Sequence, residues 1–213
     1  MTINKAMQKH TEIYGISKPQ DGRKSNEDAF AIIRVEIPVI VVCDGAGNAE
    51  QSAKKVIRSF QGLIQKAVSQ DFMSFQNWKT WAGFLDASLM GGHQCTFTAL
   101  AILDDRIVGV NVGDGKVFKF CSDGSLTTLS HGSSKKRLGS NEIEPFPIHV
   151  PMLHREIVAV LSDGAWTPLS QHKISTLFRQ RLSIHPADLP EKFLQEAGRH
   201  GRSDDMTAVL AYF

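Results

Sequence analysis

Three aspartates, each followed by glycine, stand at the ends of apolar segments: Asp44 in VIVVCDG, Asp114 in VGVNVGDG and Asp163 in IVAVLSDG. Asp-Gly is a common turn signal between two strands. Asp114 has a strand-like segment on both sides, so a simple turn and a functional carboxylate both explain it, whereas Asp123 in CSDGSL is expected to be a turn residue only. Asp44 and Asp163 are each followed by a helix-like segment. A functional position at a strand tip is therefore favoured for these two.

Two further acidic clusters precede strand-like segments, NED at 26–28 and SDD at 203–205. Carboxylates gathered at neighbouring strand ends would repel one another and raise each other's pKa values unless a cation neutralised them. Oxygen ligands of this kind select Mg²⁺ or Mn²⁺ over Zn²⁺. If the strand ends converge, the sequence predicts a site for divalent cations.

Arg23 lies in the loop DGRKSNEDAF, just before the first acidic cluster. A lone arginine on a loop is more often solvated than functional, but beside a metal cluster its planar guanidinium suits two phosphate oxygens. Metal ions together with an arginine would indicate phosphoryl chemistry.

Other chemistries find no support in the motifs. The chain has no G-x-S-x-G elbow, no H-E-x-x-H pair and no Walker pattern. The eight histidines have no metal-ligand spacing, and His93, in GGHQCT, is the one kept as a candidate. The basic stretch 133–137 (SSKKR) is expected to be a solvated loop that could also touch substrate, because three charges are too few for a nucleic-acid footprint.

The composition is that of an ordinary globular protein. The 213 residues are expected to form a single domain, 1–213, because domains are typically about 100–150 residues and two would be crowded. Lys and Arg number 24 against 22 Asp and Glu, a net charge of +2 that does not point to nucleic acid or a membrane surface. Three cysteines without CxxC spacing indicate reduced thiols, and the N-terminus has no apolar signal segment. We expect a cytoplasmic protein.

Strand-like and helix-like segments come in blocks. Eight strands are predicted, at 12–17, 29–35, 39–43, 96–103, 107–112, 117–120, 157–161 and 207–213. Apolar residues at spacings of three and four predict two helices between 53 and 89 and two more between 174 and 197, the last with Asp188 as its cap and Pro190 in its first turn. Paired helices between runs of strands favour an α+β fold with antiparallel sheets and helices layered outside.

The ordered motifs RKSNED, VVCDGAG, CTFTA, VGDGK, LSDGAW and SDDMTAV span Arg23 to Val209. Together they resemble the type-2C family of metal-dependent serine/threonine protein phosphatases. The resemblance implies an αββα four-layer sandwich, with two central antiparallel β-sheets flanked by helix pairs. It also implies two Mn²⁺ or Mg²⁺ ions in a cleft at one end, with a weaker third ion in bacterial members.

The resemblance assigns the metal ligands by matching motifs. Asp44 would bridge both ions, and the carbonyl of Gly45 would bind one of them. Asp163 and Asp204 would complete the ligands of the other ion. Asp114 matches the aspartate that holds the third ion together with Asp163.

The remaining roles concern water and substrate. Glu27 and Asp28 match the acidic pair that orients metal-bound water, and Arg23 matches the arginine that binds the substrate phosphate. Ala46 stands where many eukaryotic members carry a histidine proposed as general acid. The segment 121–147 is shorter than the mobile flap that bacterial members usually carry.

The implied activity is direct hydrolysis of phosphoserine and phosphothreonine on proteins, by a water that bridges the metal ions and without a phosphoenzyme. The partners would be a phosphoprotein substrate and a cognate serine/threonine kinase in bacterial signalling, and the protein would be a monomer. Two alternatives stay open. One is a degenerate phosphatase that binds phosphoproteins as a regulator without catalysis. The other is a phosphatase for a small phosphoester or for one regulatory phosphoprotein in a dedicated pair.

Overall fold

The computed structural model describes residues 11–46, 50–89, 93–131 and 134–213, without the side chain of Glu50. The described chain forms eleven strands, β1 to β11 in order: Glu12–Lys18, Asp28–Arg34, Pro38–Ala46, Gln94–Cys95, Phe97–Ile102, Arg106–Val112, Lys116–Phe120, Leu126–Thr128, Phe146–Pro151, Ile157–Leu161 and Met206–Tyr212. It also forms six α-helices, α1 to α6: Glu50–Ile64, Ser69–Met73, Phe75–Ser88, Asp163–Trp166, Gln171–Arg179 and Leu189–Ala197.

The strands build two antiparallel sheets. The first sheet has the order β1-β11-β10-β7-β8, and the second has the order β2-β3-β5-β6-β9, with β4 paired to β3 outside that path. All the strand pairings in both sheets are antiparallel. The expected α+β fold with two antiparallel sheets and flanking helices is confirmed.

Three hydrophobic clusters show how the layers stack. One lies between the two sheets and contains residues such as Val42, Leu100 and Val160. A second lies between the second sheet and α1, α2 and α3. The third packs α4, α5 and α6 against the first sheet. Because each strand alternates its side chains between two faces, both sheets are covered on both sides.

The helices form where apolar residues repeat at three and four positions. In α1 this stripe is Ala53, Val56, Phe60 and Ile64, each fully buried. Phe60 packs edge-on against Phe97 of the second sheet, with ring centroids 5.1 Å apart. The stripe therefore fixes which face of α1 meets the sheet.

The cap predicted for α6 differs in the structure. Asp188 is the residue before the helix, but its side chain makes no capping hydrogen bond. Its φ of −88° and ψ of −16° are already helical, because a short 3₁₀ turn at Pro186–Asp188 leads into the helix. The side chain of His185 caps that turn by accepting from Ala187 N at 3.2 Å, while Pro190 lies in the first turn of α6 as expected.

The two Asp-Gly turns between strands differ from each other. Asp123 lies in the β7–β8 hairpin, where Oδ1 accepts from Ser125 N at 2.8 Å, as the sequence predicts. Asp114 instead lies where the chain leaves β6 in the second sheet and enters β7 in the first. Gly113 makes this crossing with φ +97°, a conformation that favours glycine. Asp114 is therefore not in a hairpin, and it stands between the two sheets.

No helix in the described parts of the chain is long and apolar enough to cross a membrane.

Candidate metal centre

Asp28 and Asp44 are brought together by strand register. Asp28 begins β2 and lies directly opposite Asp44 of β3. Side chains directly opposite in an antiparallel pair stand on the same face with Cβ atoms about 4.5–5.5 Å apart. The two aspartates are 3% and 9% exposed. Two buried carboxylates therefore face each other at one end of the second sheet.

Asp44, Asp114 and Asp163 form the group best placed to hold a cation among the described residues. One carboxylate oxygen from each lies within 4.8 Å of the others. Divalent cations bind oxygen at about 2.0–2.6 Å, so two oxygens on one ion stand at most about 5 Å apart. Asp44 lies in β3 of the second sheet, and Asp114 lies in the crossing between the sheets. Asp163 is the first residue of α4, two residues after β10 of the first sheet ends. Both sheets therefore contribute to the centre.

The pKa values of these carboxyls are raised. Burial raises the pKa of Asp44 to about 9, and the neighbouring charges of Asp28 and Asp163 add to the shift. Burial also raises the pKa of Asp28 to about 7, although hydrogen bonds to the carboxylate oppose the rise. Burial also raises the pKa of Asp163, and the negative charges of Asp114 and Asp204 raise it further. This group carries more negative charge than its surroundings can stabilise, which favours a bound cation.

One oxygen of Asp28 points to the same conclusion. Its Oδ2 accepts a hydrogen bond from Ser162 Oγ at 2.6 Å, and Ser162 Oγ in turn accepts from Thr207 N at 2.8 Å. Its Oδ1 is buried and has no hydrogen-bond partner in the described part of the chain. An unsatisfied buried oxygen costs about 1–3 kcal/mol, and a cation or its water would satisfy it. The donor set fits a Mg²⁺ or Mn²⁺ centre.

Backbone hydrogen bonds fix the end of β3. Asp44 N donates to Thr96 Oγ1 at 2.9 Å, and Thr96 N donates to Asp44 O at 2.8 Å. Gly45 N donates to Glu27 O at 3.1 Å, and Gly45 pairs with Cys95 of β4. The Asp44 carboxylate therefore projects from a strand end held on both sides.

The two aspartates of the last acidic cluster occupy different environments. Asp205 is 3% exposed and accepts hydrogen bonds from Gln20 N at 2.6 Å and Glu27 N at 2.5 Å. Asp204 is exposed, and its charge raises the pKa values of Asp44 and Asp163. Asp205 therefore ties the loop before β2 to the start of β11, and Asp204 is the one facing the centre.

Gly164, the second residue of α4, packs so closely against the chain before β11 that no side chain fits there. A Cβ on Gly164 would stand 2.1 Å from Asp205 O. Such contacts do not occur between real atoms, so any side chain at Gly164 would push α4 away from β11. The close approach holds Asp163 beside Asp204.

Arg23 lies at the rim. Its side chain is 46% exposed, and Nη1 stands 3.4 Å from Glu27 Oε1. The ion pair places Arg23 on the same loop as Glu27 and Asp28, which Asp205 anchors. His93, the candidate histidine, is exposed.

Arg137 is a functional candidate that the sequence analysis included only as a member of the basic stretch 133–137. Its Nη2 lies 3.4 Å from Asp114 Oδ2 and 3.9 Å from Asp163 Oδ2. Burial disfavours the charged guanidinium, but the carboxylates of Asp114, Asp44 and Asp163 outweigh it and raise its pKa. Ser133, in the same stretch, lies outside the described residues, and Lys135 and Lys136 are exposed. The stretch is therefore solvated at its lysines and reaches the centre at Arg137.

The loop that carries Arg137 is anchored on both sides of the next residue. Leu138 forms a backbone bridge to Cys95, with Leu138 N donating to Cys95 O at 2.9 Å. Gly139 N donates to Asp86 Oδ1 at 2.6 Å. Gly139 has φ +87°, and a Cβ there would lie 2.1 Å from His93 O. These contacts hold Arg137 in reach of the carboxylates.

Comparison with solved structures identifies the fold. No protein-family model matches the sequence, and no curated protein matches it. Among solved structures, the serine/threonine phosphatase of S. agalactiae superposes with a TM-score of 0.80 at 19% identity, over 95% of this chain and 99% of that one. Stp1 from Staphylococcus aureus superposes with a TM-score of 0.82 at 17% identity, over 96% of this chain and 95% of that one. The catalytic domain of PstP, in complex with two manganese ions, superposes with a TM-score of 0.78 at 18% identity, over 95% of this chain and 97% of that one. The chain has the fold of bacterial serine/threonine phosphatases, which confirms the predicted resemblance at the level of the fold.

Proposed function

We propose that this chain is a single-domain phosphatase that hydrolyses phosphoserine and phosphothreonine esters of proteins with Mn²⁺ or Mg²⁺. The observation that carries the proposal is the convergence of Asp44, Asp114 and Asp163 within 4.8 Å, together with the buried Oδ1 of nearby Asp28, which has no hydrogen-bond partner among the described residues. The fold shared with bacterial serine/threonine phosphatases supports it.

The ligand roles are those that the family resemblance implies, and the grouping of Asp44, Asp114 and Asp163 supports them. Asp44 would hold two ions, as the resemblance to the type-2C phosphatases implies, with the Gly45 carbonyl as a further ligand. Asp163 and Asp204 would hold the second ion, and Asp114 with Asp163 a third. When bound, such ions lower the pKa of water and neutralise charge on the phosphoryl group.

The remaining residues position water and phosphate. Asp28 and Glu27 would orient the attacking water by accepting its hydrogen bonds. Arg23 is exposed enough to swing toward a phosphate oxygen, and Arg137 supplies a second guanidinium at the centre. Guanidinium groups bind phosphate oxygens through paired, charge-assisted hydrogen bonds.

Burial argues for direct attack by water. Cys43 and Cys95, which flank the centre, are fully buried, and burial raises the pKa of the Cys43 thiol. Ser162 is 1% exposed, and its hydroxyl is engaged by Asp28 and Thr207. These three side chains next to the centre are therefore unsuited to form a covalent phosphoenzyme.

A second candidate is a regulator that binds phosphoproteins without hydrolysing them. The observation that favours it is the position of Arg137, whose guanidinium neutralises Asp114 and Asp163 where a metal ion would. A protein of this kind would need no metal for binding.

One experiment separates the two candidates. Hydrolysis of p-nitrophenyl phosphate is measured at slightly alkaline pH with and without Mn²⁺, for the wild type and for Asp44→Ala. Activity that requires both Mn²⁺ and Asp44 supports the phosphatase. A folded wild type with no hydrolysis, which binds a phosphopeptide in the presence of a chelator, supports the regulator and overturns the phosphatase.

A further inference from the structure

A groove of about 580 Å³ lies beside the candidate metal centre. Its walls come from β7, β8, α4 and the start of α5, and its lining includes Lys116, Phe118, Leu126, Trp166, Leu169 and Ile174. We call it the Trp166 groove.

Two lining residues of the Trp166 groove, Trp166 and Lys116, lie next to carboxylates of the candidate metal centre. Trp166 is three residues after Asp163, and its Nε1 donates to Asp114 O at 3.2 Å. Lys116 is two residues after Asp114 and begins β7. A phosphorylated residue held at the carboxylates would therefore have its neighbouring residues at the mouth of this groove.

The chemistry of the groove is apolar and basic. Phe118, Leu126, Leu169 and Ile174 give it aliphatic and aromatic walls. Lys116 Nζ lies 5.3 Å from the centroid of the Trp166 ring, so its positive charge sits at the edge of the apolar surface. The lining also contains His131, Gln171 and two threonines, and it has no carboxylate in the described part of the chain. Such a surface complements a segment that carries aliphatic and acidic side chains.

The strand beside the groove suits an extended ligand. β8 is the last strand of the first sheet in the described chain, and it pairs with β7 alone. The outer edge of such a strand presents backbone donors and acceptors to an added peptide. An extended segment crossing the groove would have backbone groups available at β8 and side-chain pockets at Trp166.

We infer that the Trp166 groove binds the residues flanking the phosphorylated residue of a phosphoprotein substrate and selects segments that combine aliphatic and acidic side chains. This inference rests on the proposed phosphatase function. The inference adds a substrate preference to that function, and the positive charge of Lys116 determines the preference for acidic side chains.

The test compares two phosphothreonine peptides of equal length, one flanked by leucine and glutamate and the other by leucine and lysine. Wild type, Lys116→Glu and Lys116→Met are assayed with Mn²⁺ on both peptides and on p-nitrophenyl phosphate, which has no flanking residues. Lys192→Glu is the matched control, because Lys192 is an exposed lysine on α6 whose side chain contacts Gln195. It carries the same charge reversal away from the groove.

We expect the wild type to prefer the glutamate peptide by about tenfold in kcat/KM, which corresponds to about 1.4 kcal/mol. Lys116→Met should reduce this ratio, Lys116→Glu should remove or invert it, and Lys192→Glu should keep it. All the variants should hydrolyse p-nitrophenyl phosphate at the wild-type rate, which also shows that they are folded.

The two proposals fail in different ways. A wild type that hydrolyses p-nitrophenyl phosphate but treats both peptides alike overturns the groove inference and leaves the phosphatase in place. The same holds if Lys116→Glu keeps the preference, or if Lys192→Glu loses it equally. A folded wild type that hydrolyses none of the three compounds overturns the phosphatase itself.

Discussion

Asp28 and Asp44 lie directly opposite each other across β2 and β3, and burial raises the pKa of both side chains. Asp163, at the start of α4, raises the pKa of Asp44 further through its charge. The arrangement costs folding free energy when all the carboxyls are ionised, and protons, Arg137 or metal ions can each relieve it. These three possibilities lead to different measurable behaviour.

Replacing Asp163 tests whether the group works as a metal centre. Asp163→Asn should abolish Mn²⁺-dependent hydrolysis of p-nitrophenyl phosphate, because a neutral amide is a poor ligand for a divalent cation. The metal-free variant should be at least as stable as the wild type, since one repelling charge is removed. Hydrolysis rates and thermal unfolding of the two proteins check this. Wild-type activity in the variant would remove Asp163 from the centre.

The stability of the metal-free protein should depend on pH in a defined direction. The pKa of Asp44 is raised to about 9 and that of Asp28 to about 7, while an unfolded aspartate titrates near about 3.9. The folded protein therefore binds more protons than the unfolded chain between these values, and its stability should fall as the pH rises from about 4 to about 9. Thermal unfolding in the presence of a chelator measures this fall.

Mn²⁺ should counteract the loss, and more strongly at high pH. A cation competes with protons for the same carboxylates. At pH 8 the proton of Asp28 is largely lost and that of Asp44 is more easily displaced, whereas at pH 5 both carboxyls are protonated. The rise in Tm produced by Mn²⁺ should be larger at pH 8 than at pH 5. Equal shifts at both pH values would contradict a centre built from Asp28 and Asp44. Asp44→Ala serves as the control that should lose most of the shift.

Arg137 should compete with metal ions. Its guanidinium lies 3.4 Å from Asp114 and 3.9 Å from Asp163 and so reduces their attraction for another cation. Arg137→Ala should bind Mn²⁺ more tightly than the wild type in a calorimetric titration, and it should have a higher KM for a phosphopeptide. Lys135→Ala, which removes an exposed charge from the same loop, should change neither value. Weaker Mn²⁺ binding by Arg137→Ala would show that Arg137 positions the carboxylates and does not oppose the metal.

Arg23 should contribute chiefly to substrate binding. Losing a charged hydrogen bond to phosphate costs about 1.5–3 kcal/mol, so Arg23→Ala should raise KM by about ten- to a hundredfold with a smaller effect on kcat. Lys24→Ala is the matched control, because Lys24 is the exposed neighbour in the same loop. The measurement is the KM and kcat of the wild type and both variants on a phosphopeptide. An unchanged KM would make Arg23 a solvated surface residue.

The acidic residues of the centre were accessible from the sequence because each stands at an abrupt change of pattern. Asp44 and Asp163 follow apolar runs and precede helical segments, and these are the positions where the structure brings them together. Asp114 left two interpretations open, since a local pattern cannot tell a hairpin from a crossing between sheets. Only the pairing of β6 with β9 and of β7 with β10 resolves it.

Other features left no usable local signal. β9 contains Pro147 and Pro151, which weaken a strand prediction, yet it lies at the edge of the second sheet, where proline is tolerated. β4 and β8 have two and three residues, too few to show alternation. Arg137 has the same chemistry as the lysines beside it. The long-range contacts of Leu138 and Gly139 place Arg137, and not the lysines, next to the carboxylates. A single sequence does not reveal such contacts.

The carboxylates of the candidate centre are held at the ends of strands from both sheets, so the distance between the sheets sets the distance between Asp44 and Asp163. Val42 and Val160 belong to the apolar layer that separates the sheets, two residues before Asp44 and three before Asp163. That layer therefore acts as a spacer for the metal site. Adding or removing a single methyl group there would retune the affinity for ions and the choice between the smaller Mg²⁺ and the larger Mn²⁺, although no ligand is changed.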